Sequence, residues 1–241
     1  MLRLGCPRLV IDRLDPLINP GAIHSPHIHR IVGGNGFNAS MTTSDVSATA
    51  TCTTCEFSED FSNYWTANLY FKVRNGTYKR VQQRGAALQF SDTYSNKMAD
   101  GILVYYVSAQ PGSITAFKPG FRMLVGDPNQ RSRPNTRLKH QNFYRCYTGP
   151  NYGPISLLLA KTTGRCLSLS SPRPHPAADH ADYVFGWKGD ALEKAMNATN
   201  CMGADLKTQQ LDAGTKCGVK RVVDEDHDGW IKELPGMTMP M

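Results

Sequence analysis

The sequence predicts a mostly β protein: an antiparallel β-sandwich or jelly-roll-like fold with irregular loops and one short C-terminal helix. Three observations carry this. Short runs of β-branched and aromatic residues recur through the first two thirds of the chain. Turn residues separate them, drawn from 21 glycines and 15 prolines. One Asn-Gly pair stands between two such runs, which is the strongest short-range hairpin signal. With 241 residues, 40% of them hydrophobic, the chain can bury a sizeable core.

Taken in order, Met1–Asp12 lacks the apolar core of a signal peptide. Ile28–Ile31 reads as extended, between Pro20-Gly21 and Gly33-Gly34. Ala39–Thr54, rich in Ser and Thr, reads as a loop. Leu69–Arg74, Asn75-Gly76 and Thr77–Val81 form the hairpin signal. Gly101–Ser108 is a buried central strand, stopped at Gln110-Pro111-Gly112. Ser113–Phe117 is short and extended, and Phe121–Val125 is a further strand ended by Gly126-Asp127-Pro128. Asn151–His180, with Pro154, Pro172, Pro174 and Pro176, reads as an irregular connector. Its greasiest run, Ile155–Ala160, is far too short to span a membrane. Asp190–Thr199 is the one helix, with Asp190 as cap, Glu193 three residues on, and an apolar face of Leu192, Ala195 and Met196.

The net charge of +7 raises nucleic acid as a partner. The basic residues are spread out, however, and the densest group, Arg131, Arg133, Arg137 and Lys139, contains Pro134 and reads as a solvated loop. Neither nucleic acid nor a membrane is expected as a partner. Seven cysteines without zinc-finger spacing, and N-x-[ST] sequons at Asn38, Asn75 and Asn197, point to a secreted glycoprotein. Cys52-Thr53-Thr54-Cys55 reads as a local disulfide, and Cys201 is expected to pair with Cys217, leaving Cys6, Cys146 and Cys166 over.

Ser25-Pro26-His27-Ile28-His29 is the most informative stretch. On an extended segment, His27 and His29 share one face, where two imidazoles can line a polar cleft or hold a divalent metal. No third ligand follows from the sequence, so hydrogen bonding outranks tight metal binding. Asp15, Arg122, Asp127 and Tyr106 are the acid, base or charge partners expected to meet the pair, since Asp15 and Asp127 sit at Asp-Pro turns at strand ends. Trp65, Tyr64 and Tyr105 are candidates for stacking on sugar rings. Asp224–Gly229 opens like a D-x-D-x-D-G calcium loop, but Pro235 stands where the bidentate Glu belongs, so it reads as an acidic turn.

These residues fall into a larger pattern. Arg13–Gly21, Ser25–His29 and Val32–Phe37, then Cys52–Cys55, Ser62–Trp65, Leu69-Tyr70, Tyr105-Tyr106 and Pro119–Asp127, resemble in order a secreted fungal family known as a domain of unknown function (DUF1996). Tyr183–Asp190 and Asp228-Gly229-Trp230 resemble its C-terminal end. Its members often carry an added WSC module. The resemblance implies one domain over residues 3–236. Around residues 154–180 the family's longer segment, with its C-W-D-G-K and S-H-V motifs, is replaced by proline-rich sequence. The expectation is therefore an aberrant or missing segment there, without regular structure, and a poorly soluble chain. The family supplies no reaction. The functional expectation is an extracellular fungal protein that acts on or binds cell-wall or plant polysaccharide through a histidine-containing polar cleft. The alternative is a non-catalytic structural or effector-like surface protein.

Overall fold

The computed structural model describes residues 2–42, 45–81, 100–108, 112–124, 155–160, 181–198 and 206–235. The chain starts with β1 (Leu2–Cys6), whose Leu2, Leu4 and Cys6 alternate inward while Arg3 faces solvent. Pro7 cannot donate to a ladder. The chain turns there from one sheet to the next and continues as β2 (Arg8–Asp12). Then come β3 (His29–Gly33), β4 (Asn63–Ala67), β5 (Leu69–Lys72), β6 (Tyr78–Val81) and β7 (Ile102–Ser108). The last strands are β8 (Arg122–Met123), β9 (Ile155–Ala160) and β10 (Ala181–Val184).

Sheet A has the order β1-β7-β9, sheet B the order β2-β3-β4-β10-β8, and β5-β6 is a separate hairpin; every pairing is antiparallel. Sheets A and B face each other across a core of Leu2, Leu4, Ile102, Val104 and Tyr106 against Val32, Tyr64, Met123 and Tyr183. Strand alternation sends the next residue of each sheet B strand to the far face. There Ile31, Trp65 and Val184 pack under Phe37, Met41 and Val46 of the 34–62 loop. The hairpin packs Tyr70 and Tyr78 against Ile11 and Ile28 at the end of sheet B. Burying each large aromatic side chain contributes on the order of 2–3 kcal/mol.

Gly33 shows how tightly the sheet B crossover is built. It has φ of 105°, and a Cβ there would lie 1.8 Å from the Ser62 carbonyl oxygen. Only glycine fits such a position.

The antiparallel sandwich, the Asn75-Gly76 hairpin and the central strand at Ile102–Ser108 agree with the sequence reading. Several expectations change. β1 and β2 occupy a segment in which the sequence reading named no strand. Phe121–Val125 shrinks to the two-residue β8, and Ser113–Phe117 joins no ladder. Ile155–Ala160 is not irregular: it pairs residue for residue with β7, because an apolar run beside a buried strand gains most by completing the sheet. The rest of residues 161–180 lies outside the described residues. The expected helix is α1 (Ala191–Asn197), with Leu192, Ala195 and Met196 buried as read. Asp190 makes no side-chain cap bond and instead pairs with Lys194 at 2.9 Å, while Glu193 accepts from the Ala116 N–H. A second helical turn, α2 (Leu211–Gly214), follows.

The disulfide pairings are also corrected: Cys6 bonds Cys55, and Cys52 bonds Cys217. Thr53 bridges to Gly34 and the chain bends at Thr54 and Cys55, so Cys52 and Cys55 are turned to different partners. Cys55 joins the core between the sheets, and Cys52 packs against the outer cluster that holds Cys217. Cys201 lies outside the described residues, and its expected partner is already bonded.

Candidate functional site

The His27–His29 pair stands where β3 begins, on the outer face of sheet B. Asp15 sets up the turn that approaches it. Its Oδ1 accepts the N–H groups of Leu17 and Ile18, and its carbonyl accepts from Asn19. This turn brings the Leu14 carbonyl 2.9 Å from His29 Nδ1, which places a proton on Nδ1. Nε2 lies 3.9 Å from Asp15 Oδ2. His29 is fully buried, whereas His27 is half-buried and meets it edge-on, with ring centroids 6.0 Å apart. The two rings therefore lie together beside Asp15, with His27 in the bend before β3 rather than on the strand itself.

A strap from Arg221 to Ile231 closes this end of the sandwich. Asp12, the β2 residue paired with His29, accepts the N–H groups of Val222 and Val223. Arg13 Nε lies 3.0 Å from Glu225, and Ile231 bridges to Tyr78 of the hairpin. Burial pushes the Glu225 carboxyl up against the opposing pull of Arg13, and it pushes His227 down although Asp228 pulls the other way. The strap lines a shallow open concavity.

The other candidates stand apart from the histidines. Arg122 is on the same face but reaches the Met41 carbonyl, at the opposite corner. It pairs with Val184, which pairs with Asn63 and so with Gly33, the far end of β3 from His29. That is four residues along the strand and three strands across, roughly 13 Å by 14 Å. Tyr106 and Tyr64 point between the sheets, and Trp65 is buried against Phe37, so none offers a sugar platform. Tyr105, opposite Arg3, is half-buried on the outer face of sheet A. Asp127 lies outside the described residues.

Two buried polar clusters were not anticipated. In the first, Tyr106 Oη lies 2.6 Å from Tyr64 Oη and 2.8 Å from Tyr183 Oη, and it accepts from Trp187 Nε1 at 3.1 Å. Tyr64 donates in turn to Asp60 Oδ2 at 2.8 Å. Burial pushes Asp60 up to about 7 in spite of hydrogen bonds from Ser62 and Tyr64, and it holds all three tyrosines well above their usual range. In the second, Asp100 is buried among Arg8 (2.9 Å), Arg80 (2.8 Å) and Arg30 (3.7 Å). Arg80 also holds Asp228 of the strap. The first cluster draws on three separate segments and the second on five, so neither is gathered in one stretch of sequence.

Among the described residues, Cys6, Cys55 and Asp60 form the set whose ligand atoms converge within 4.8 Å, and two of these are joined as a disulfide. The histidine pair belongs to no such set. The acidic turn is internally satisfied: Asp226 Oδ1 accepts the N–H groups of Asp228 and Gly229, Asp224 pairs with Arg221, and Asp228 with Arg80. Asn38 and Asn75 are exposed, the latter at the hairpin tip. Asn197 is exposed too, but its amide holds both Ile114 backbone groups. No helix among the described residues is long and apolar enough to cross a membrane.

Fold and site thus define a disulfide-fastened antiparallel β-sandwich that carries a histidine pair and two buried polar clusters. The family model for the domain of unknown function DUF1996 matches residues 15–166, and the chain belongs to that family. No curated protein and no solved structure matches it.

Proposed function

We propose that the protein is extracellular and binds or acts on cell-wall or plant polysaccharide at the sandwich end where His27, His29 and Asp15 meet. The observation that carries this is the graded exposure of the pair. Half-buried His27 stands at the surface, and behind it buried His29 has Nδ1 held by the Leu14 carbonyl and Nε2 turned towards Asp15. Neutral imidazoles suit hydrogen bonding to sugar hydroxyls, and proton transfer near pH 6–7. Two disulfides and exposed sequons support an oxidising, extracellular setting.

The test is a glycan-binding and turnover screen on the secreted chain and on His27→Ala. A loss of binding of tenfold or more at an unchanged unfolding midpoint is expected. Full retention on the best ligand would refute the reading. The second reading, a non-catalytic surface protein, is favoured by the burial of His29 and Asp15 and of Tyr64 and Trp65, which leaves little reactive surface. Binding without any turnover would select it.

A further inference from the structure

Where the hairpin meets the end of sheet A, three arginines converge. Side chains of Arg30 and Arg80 are 2% and 1% exposed, and that of Arg8 is 19% exposed. Asp100, wholly buried, neutralises one of them. The other described carboxylate in the cluster belongs to Asp228, whose side chain is 55% exposed and comes from the strap. Asp228 Oδ1 accepts from both Nε and Nη2 of Arg80 at 2.8 and 2.5 Å, which is the edge a guanidinium uses for a planar carboxylate. Burial works to raise Asp228, but Arg80 outweighs it and holds the carboxyl below its ordinary value. Arg80 is thus held by one wholly buried carboxylate, Asp100, and by one partly exposed carboxylate, Asp228. A buried guanidinium that gives up a carboxylate is stabilised by another anion in its place. Beside it, cross-strand from Arg80, the 7% exposed Tyr70 has a buried hydroxyl with no hydrogen-bond partner among the described residues.

A strap carboxylate that is more than half exposed, seated on a buried arginine next to an unused hydroxyl, has the form of an internal stand-in for a ligand. We infer that Arg80, flanked by Arg8 and Tyr70, is a carboxylate-reading subsite, and that a uronate residue of an acidic polysaccharide takes the place Asp228 holds. The inference deepens the polysaccharide reading and rests on it. It names the ligand class as acidic, and it gives the strap a gating part, since Asp228 must swing off Arg80 as the uronate arrives. The exchange leaves the charge of the cluster unchanged, so it costs little electrostatically. The histidine end and this subsite are spanned by the same strap, through Arg13–Glu225 on one side and Arg80–Asp228 on the other.

The experiment is calorimetric titration of the full chain with a short oligogalacturonate, its neutral methyl ester and the free uronate monomer. The variants are Asp228→Ala, Asp228→Asn, which keeps the shape, and Arg8→Gln. Preference for the acid over the ester of at least tenfold is expected. Removing the Asp228 carboxylate should tighten acid binding a further tenfold or more, and adding Arg8→Gln should reverse much of that gain. Acid affinity within twofold of wild type in both Asp228 variants overturns the inference, as does absence of acid binding in folded protein. His27-dependent binding with equal affinity for acid and ester overturns the inference but spares the polysaccharide reading. Acid binding strengthened by Asp228→Asn yet untouched by His27→Ala spares the inference and overturns the histidine cleft. Binding of the monomer as tight as the oligomer overturns the assignment to a polymer.

Discussion

Asp60 is the residue on which most of the buried chemistry turns. Its carboxyl sits about 7 in the folded chain against an ordinary 3.8, because burial penalises the charge. The folded state therefore holds a proton that the unfolded chain has lost. The resulting stabilisation is fully present below about pH 4 and is lost as pH rises towards 7, with a slope of up to about 1.4 kcal/mol per pH unit. Urea unfolding at pH 4.5, 5.5, 6.5 and 7.5 should show this decline. In Asp60→Asn the decline should flatten, since an amide never ionises and the Tyr64–Tyr106 hydroxyl pair can donate in either direction. An equally steep profile in the variant would show that other groups set it. Gly33 is the second residue of this kind. With its positive φ and no room for a Cβ, Gly33→Ala should cost several kcal/mol in the same assay.

Among elements, the Thr51–Cys55 segment shows what tertiary packing does to a sequence motif. Thr53 bridges to Gly34, and on either side of it Cys55 is buried in the core between the sheets while Cys52 packs against the outer cluster, each bonded to a distant cysteine. Non-reducing peptide mapping should recover Cys6–Cys55 and Cys52–Cys217, and a Cys52–Cys55 peptide would refute the arrangement. The loops closed span 49 and 165 residues, so each bond is worth up to about 4–5 kcal/mol in the chain-entropy picture. Cys217→Ala should lower the unfolding midpoint accordingly and loosen the C-terminal strap, raising protease cleavage between Arg221 and Ile231.

At the scale of the molecule, sheets A and B share one continuous core, and Ile155–Ala160 completes sheet A beside β7. A single cooperative thermal transition is expected, monitored by near- and far-ultraviolet circular dichroism together. Separate transitions would mean that the sheets fold independently. Secreted expression should give an endoglycosidase-sensitive mass shift with occupancy at Asn75 above that at Asn38 and Asn197. The amide nitrogens of Asn38 and Asn197 donate to the Gly36 and Ile114 carbonyls, and a glycan there would have to disturb those contacts.

Local physics determined what the sequence settled alone. The hairpin around Asn75-Gly76, the central strand at Ile102–Ser108 and the amphipathic helix follow from turn chemistry and side-chain period, which neighbours in the chain decide. The family pattern was legible for the same reason, as an ordered run of short motifs. Tertiary structure decided which cysteines bond and which face each aromatic takes. It also decided that Arg122 and Tyr106 stand away from the histidines, and that Asp60 and Asp100 are buried. Those outcomes depend on strand order and on which sheet lies over which face. Arg8, Arg30, Arg80, Asp100 and Asp228 are drawn together from across the chain by β2, β3, β6, the approach to β7 and the strap. No window of sequence contains that encounter, because it exists only once the two sheets and the hairpin have packed.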